Sequence, residues 1–149
     1  MKEKLIFDFH SGHSTDAYKL FGAHFTEIDG IKGVLFCVYA PNAHQVQVVG
    51  DFNNWNGVEH IMKREYNGIY SLFVPDLKDY DAYKYRIIDM NYNYVDKADP
   101  YAYFSEYRPR DASKVYNLDG FPWMDGDWIK KRTKNFDKPM SIYEVHFGS

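Results

Sequence analysis

The sequence predicts an all-β fold, two antiparallel sheets packed face to face as a β-sandwich, with a small barrel as the alternative arrangement. Three observations carry that expectation. From Gly33 onward, short runs rich in β-branched and aromatic residues alternate with turn clusters at intervals too short for parallel crossovers. Aromatic content reaches 19%, with Tyr 14, Phe 11 and Trp 3, and such rings favour strands. Along residues 82–87, Tyr83, Tyr85 and Ile87 alternate with Ala82, Lys84 and Arg86. That period of two suits a strand with one face in a core and the other in water.

Before the first strand, Ser14 or Thr15 is placed to cap a short helix over Asp16–Phe21, with Asp16 favourable to the helix dipole and Gly22 suited to end it. Strands are then expected at VLFCVYA, QVQVVG, IYSLFV, AYKYRIID and YNYV. The turns between them fall at Pro41-Asn42-Ala43, at Gly50 to Gly57, at Asn67-Gly68, at Pro75 to Asp81 and at Asp89-Met90-Asn91. After Leu118 the pattern fails, and Trp123, Trp128 and the cations Lys130, Lys131, Arg132, Lys134 and Lys138 read as a solvated connector. The last stretch, SIYEVHFGS, alternates like a strand yet has no neighbour left in the chain to pair with. The expected organisation is an N-terminal segment over 1–21, a β-sandwich over 22–118, a linker over 119–139 and, over 140–149, the start of a truncated second domain.

The chain's 149 residues suffice for one domain with its own core. Lys+Arg 18 against Asp+Glu 21 leaves a net charge of -3, with no basic field to hold nucleic acid or an anionic membrane. No run is long and apolar enough to span a bilayer, and no signal peptide is recognisable. The single cysteine, Cys37, rules out an internal disulfide and suits a reducing compartment, so the expected location is the cytoplasm. No glycine-rich phosphate loop follows a strand. His10 and His13 sit around Ser11-Gly12, a loop rather than a helical metal pair, and neither a metal nor a cofactor is expected. His24 reads as a structural histidine, Cys37 as a small buried hydrophobe, and no carboxylate pair marks a catalytic cleft.

One segment stands out. In Val49-Gly50-Asp51-Phe52-Asn53-Asn54-Trp55-Asn56 a strand ends in glycine and short polar residues follow, which would lift Trp55 to the rim of the sandwich. There a flat indole can lie against the C–H face of a sugar while Asn53 and Asn54 exchange hydrogen bonds with hydroxyls. The alternative makes Trp55 a corner plug of the core. Lys84, on the polar face of its strand, and Tyr92 and Tyr94 in the next hairpin either extend such a platform or simply meet solvent and pack.

GDFNNW at Gly50–Trp55, followed by YKYRI at Tyr83–Ile87, resembles the glycan-binding sandwiches of carbohydrate-binding module family 48, found in branching and debranching enzymes and in a kinase regulatory subunit. Gly22-Ala23-His24, GVLFCVYAPNAHQVQVVGDFNNW, KADPYA, Arg108-Pro109, Ala112-Ser113 and SIYEVHFGS, taken in order, resemble the N-terminal part of bacterial-type 1,4-α-glucan branching enzymes. The resemblance implies an immunoglobulin-like β-sandwich leading into the first strand of a (β/α) barrel of glycoside hydrolase family 13. It implies a parent enzyme that moves α-1,4-glucan segments onto 6-hydroxyls by retaining double displacement, with its catalytic carboxylates on later barrel strands. No such carboxylate falls within 1–149, so the chain alone is expected to be inactive. The implied partners are α-1,4-glucan (glycogen, maltooligosaccharides) and the chain's own catalytic barrel. Trp55 and Lys84 match the glycan-contacting positions, and Asn117 corresponds to a binding asparagine. The second platform tryptophan has no Trp counterpart, and Tyr92 and Tyr94 stand nearest to it. A glycogen-binding scaffold and a debranching enzyme are the alternatives, and the strand-like ending SIYEVHFGS favours an enzyme.

Overall fold

In the computed structural model, residues 2–133, 137 and 139–146 are described. The chain divides into two units, Met1–Leu118 and Asp119–Ser149. The first unit holds two antiparallel sheets. One contains β1 (Gly22–Ile28), β2 (Ile31–Tyr39), β4 (Lys63–Arg64) and β5 (Ile69–Pro75). The other contains β3 (Gln45–Gly50), β6 (Ala82–Ile88), β7 (Tyr94–Lys97), β8 (Phe104–Ser105) and β9 (Ser113–Lys114). The strand orders are β1-β2-β5-β4 and β3-β6-β9-β8, and β7 shares the β9 edge of β6.

The alternation expected of a half-buried strand places the core. Val34, Phe36 and Val38 of β2 meet Val46 and Val48 of β3, Tyr83 and Tyr85 of β6, and Val115 between the two sheets. Lys84 and Arg86 point the other way, and they are half-buried rather than fully in water because each is ion-paired across the sheet, to Asp111 and Asp96. The five strand runs read from the sequence correspond to β2, β3, β5, β6 and β7. The pattern missed β1, which pairs along its whole length with β2 around an Asp29-Gly30 turn with both residues at positive φ. Asp-Gly between two extended runs is a strong hairpin signal.

The expected helix at Asp16–Phe21 is instead a single 3-10 turn, Ala17–Lys19, entered where Ser14 Oγ accepts the Asp16 N–H. The α-helix lies earlier, α1 at Lys2–His10. Nine residues make a marginal helix in water, and tertiary packing supplies what length does not. Leu5, Ile6 and Phe9 cover Leu20, Phe21, Cys37 and Ile69 on the outer side of the first sheet, with Phe9 edge-on to Phe21 at 4.6 Å. Cys37 is buried beneath them, as expected. Gly22, expected to end a helix, opens β1 at φ +112, where a Cβ would stand 3.2 Å from Tyr101 O.

In the second unit, a short helix α2 (Gly126–Lys131) forms where only a connector was expected, with Lys130 and Lys131 at the end that favours cations. Residues 141–146, read as a strand, carry no regular structure, since a strand without a hydrogen-bonded neighbour is not stable in water. The rest of that stretch, 147–149, and the connector's 134–136 and 138 lie outside the described residues.

Candidate glycan-binding face

The Trp55 loop is built from the end of β3. Gly50 is extended, and a Cβ there would fall 2.3 Å from Ala82 O, so only glycine lets the strand pass this close to β6. A 3-10 turn, Asp51–Asn53, follows. Asn54 and Trp55 then both adopt left-handed backbone, at φ 52 and φ 60. That is uncommon for tryptophan, and the Trp55 N–H bonded to Gly50 O at 2.9 Å helps to hold it.

The corner plug is Phe52, not Trp55. Phe52 packs against the core and stacks on Phe36. Trp55 belongs to neither core cluster and is half-buried, with its indole Nε1–H donated to Asp51 Oδ1 at 3.0 Å. The ring is thus fixed at the rim by one side-chain bond and one backbone bond. Asn53 works inside the loop: its Oδ1 accepts the Gly50 N–H at 2.9 Å, and its Nδ2–H donates to Val48 O at 2.9 Å with His60 Nδ1 at 3.2 Å. Asn54 is exposed beside Trp55.

Lys84 lies directly across from Val49, one residue before Gly50, so register alone brings it beside the Trp55 loop. Its ammonium donates to Asp111 on the next segment of the sheet. The lysine side chain is 16% exposed against 79% for Asp111, so the charge stays sheltered while its partner meets water.

Tyr94 also faces outward, over Arg86 at 4.5 Å, and Arg86 binds Asp96 through two bonds of 2.8 Å. That bidentate bond raises the guanidinium's pKa, with burial opposing it. Tyr92, at φ 62 in the β6–β7 turn, meets His44 edge-on at 5.4 Å. His44 precedes β3, so Tyr92 and Trp55 mark opposite ends of the β3–β6 pair, separated by roughly 17 Å of strand. Asn117 is set apart as well. Its N–H donates to Asp79 Oδ1 at 2.8 Å, and it lines an open cleft with Thr26, Lys32, Gly33 and Lys78. Register therefore places Lys84 at the end of β3 from which the loop carrying Asn54 and Trp55 departs, with Tyr94 opposite Ile88 farther along the same face as Lys84, and sets Tyr92 and Asn117 apart.

Among the described residues, no group of three or more His, Cys, Asp or Glu could hold a metal ion. No described helix is long and apolar enough to cross a membrane.

Residues 20–102 match the family model described as carbohydrate-binding module 48 (isoamylase N-terminal domain). The 1,4-alpha-glucan branching enzyme GlgB of Bacillus subtilis (strain 168) is 46% identical over 147 residues, which is 97% of this chain and 23% of that protein. The corresponding enzyme of Trichodesmium erythraeum (strain IMS101) is 44% identical over 143 residues, 95% of this chain and 18% of its own length. The chain thus spans about a fifth of the length of these curated relatives. Among solved structures, ligand-free PulA from Klebsiella pneumoniae superposes with a TM-score of 0.52 at 27% identity, over 68% of this chain and 10% of that one. The pullulanase of Bacillus acidopullulyticus, at 21% identity and TM-score 0.52 over 66% of this chain and 12% of its own, shares the fold. With its family's model matched from Leu20 to Ala102, through the whole first sheet, the Trp55 loop and strands β3, β6 and β7, the chain belongs to the carbohydrate-binding module 48 (isoamylase N-terminal domain) family.

Proposed function

We propose that this chain is the N-terminal, non-catalytic module of a cytoplasmic 1,4-α-glucan branching enzyme, and that it holds α-1,4-glucan chains such as glycogen and maltooligosaccharides on the outer face of its second sheet. In this reading Trp55 stacks on a sugar face, Lys84 and Asn54 meet hydroxyls, and Tyr94 extends the surface. Asn53 acts by shaping the loop, and Tyr92 and Asn117 contribute only at the edges. Residues 119–139 connect to a catalytic barrel that begins near 140, and the chain alone transfers and hydrolyses nothing.

The observation that supports glucan binding best is the fixed, half-buried indole of Trp55 beside a sheltered lysine. A ring already held in place loses little freedom on meeting a ligand. The branching reaction rests on the relatives, at 46% identity, whereas the pullulanase likeness that favours a debranching parent reaches 27%.

Titrating the 149-residue chain with maltoheptaose, followed by tryptophan fluorescence or amide shifts, tests the reading. The expected dissociation constant is about 0.1–1 mM, since a small wet contact must offset the ordering of a flexible sugar. Trp55→Ala should weaken binding about tenfold or more. An unchanged affinity in that variant, or no binding by the parent chain, overturns glucan binding at this face. Incubation with amylose should leave the iodine spectrum and reducing ends unchanged.

A further inference from the structure

The outer face of the second sheet continues past Lys84. Ala82 lies opposite Lys114, and Lys114 lies opposite Phe104. Residues paired across strands share a face, and Lys84, two along from Ala82, points the same way. The same register therefore places Lys84, Lys114 and Phe104 on one surface.

Three rings meet on it. Phe104 and Tyr116 stack with centroids 5.5 Å apart and planes at 28°, and Tyr80 closes against both, at 5.4 Å and 5.5 Å. None of the three belongs to either core cluster, and Tyr80 is 51% exposed. Its backbone is left-handed, φ 74, a conformation that bulky residues rarely adopt. Two backbone bonds hold it there: Tyr80 N–H to Val115 O at 2.8 Å, and Val115 N–H to Asp81 O at 3.0 Å. An exposed ring at a costly backbone angle, locked by the strand beside it, is a surface kept in one shape.

We propose that Tyr80, Phe104 and Tyr116 form a second sugar-stacking subsite, with Lys114 at its side, for the same α-1,4-glucan chain that Trp55 holds. This rests on the glucan-binding reading above. Phe104 lies two strand spacings, about 10 Å, across the sheet from Ala82, and Ala82 is two residues of β6, about 7 Å, from Lys84. The resulting separation exceeds one sugar ring and falls within one linear oligosaccharide, so a single chain can engage both subsites while a very short one reaches only the first. The chemistry suits a sugar better than an apolar protein segment: flat rings are offered for C–H faces, and phenol hydroxyls and an ammonium stand beside them for hydroxyl groups.

The test compares maltotriose with maltoheptaose on the 149-residue chain, with circular dichroism confirming that each variant is folded. Tyr80→Ala should weaken maltoheptaose binding about three- to tenfold and leave maltotriose binding unchanged, whereas Trp55→Ala should weaken both. In the parent chain, amide shifts at Lys114 and Tyr116 should move with maltoheptaose and not with maltotriose, a readout that needs no variant to fold. If the parent binds maltoheptaose but Tyr80→Ala binds it equally well, or the Lys114 and Tyr116 amides stay still, the second subsite is overturned and the Trp55 site stands. If the parent chain binds neither sugar, glucan binding fails as a whole and the subsite fails with it.

Discussion

The Tyr83 hydroxyl donates to Asp99 Oδ2 at 2.7 Å inside the sandwich. Tyr85 shares that oxygen at 3.1 Å, and Asp99 Oδ1 accepts the Tyr101 N–H at 2.8 Å. The Asp99 N–H in turn donates to Ser113 Oγ at 2.8 Å. Asp99 thus ties β6 to the segment after β7 through its carboxyl, and that segment to the start of β9, the strand that leads into Tyr116, through its backbone N–H. Asp99→Ala would strand the Tyr83 hydroxyl in the core and leave the Tyr85 hydroxyl only its long contacts to Gly22 O and Cys37 O, both at 3.5 Å, and should lower the unfolding free energy by about 2–4 kcal/mol, read from urea midpoints.

The same carboxyl gives a pH dependence. Burial raises the Asp99 pKa above its ordinary value, with the bonds from Tyr83, Tyr101 and Tyr85 opposing the rise. The folded state therefore binds this proton more tightly than the unfolded chain does. The stability Asp99 contributes is fully present below the ordinary carboxylate value and is lost as pH rises through the raised folded value. Asp99→Asn cannot titrate, so the stability of the parent relative to this variant should fall between pH 3 and the raised pKa. A difference that grows with pH over that range would contradict the sign.

Gly50→Ala places a methyl group 2.3 Å from Ala82 O, a backbone atom that cannot swing aside. The β3–β6 contact must open, with a cost of about 1–3 kcal/mol and a change in Trp55 fluorescence, because Trp55 N–H is anchored on Gly50 O.

Asn53 and Asn54 should respond in opposite senses. Asn53→Ala removes the bonds to Gly50 and Val48 that fold the loop and should cost about 1–3 kcal/mol. Asn54→Gly relieves a left-handed residue and should leave stability unchanged or raise it by up to about 1 kcal/mol. Thermal melts of the two variants check this.

Phe9→Ala should expose the thiol of Cys37, the chain's single cysteine. Phe9 covers the cluster containing Cys37 and packs edge-on against Phe21 and Tyr39. A thiol reagent should react slowly with the parent chain and several times faster with the variant. Equal rates would mean that α1 does not shield this side of the sheet.

The strands β2, β3, β5, β6 and β7 were legible because a period of two is a local property: a side chain's face follows from its neighbours one and two residues away. By the same logic Trp55, between turn formers after a strand-ending glycine, could be placed on a rim, and Lys84 on a polar face. Asp29-Gly30 was a readable hairpin signal that would have recovered β1.

What tertiary structure alone decided were the matters of partnership. Helix α1 forms because Leu5, Ile6 and Phe9 find the outer side of the first sheet, and nothing within those nine residues announces that surface. Phe52 rather than Trp55 fills the corner because the 3-10 turn after β3 delivers Phe52 to the core beside Phe36. Tyr80, Phe104 and Tyr116, scattered through the sequence, become one surface only through the pairing of β6, β9 and β8. Asp99 becomes a buried linchpin only once Tyr83 and Tyr85 point inward. Local pattern sets which face a residue occupies, and contacts between residues far apart in the chain set what it meets there. The sandwich and its tryptophan rim could therefore be read from sequence, whereas the aromatic group beside them had to be seen folded.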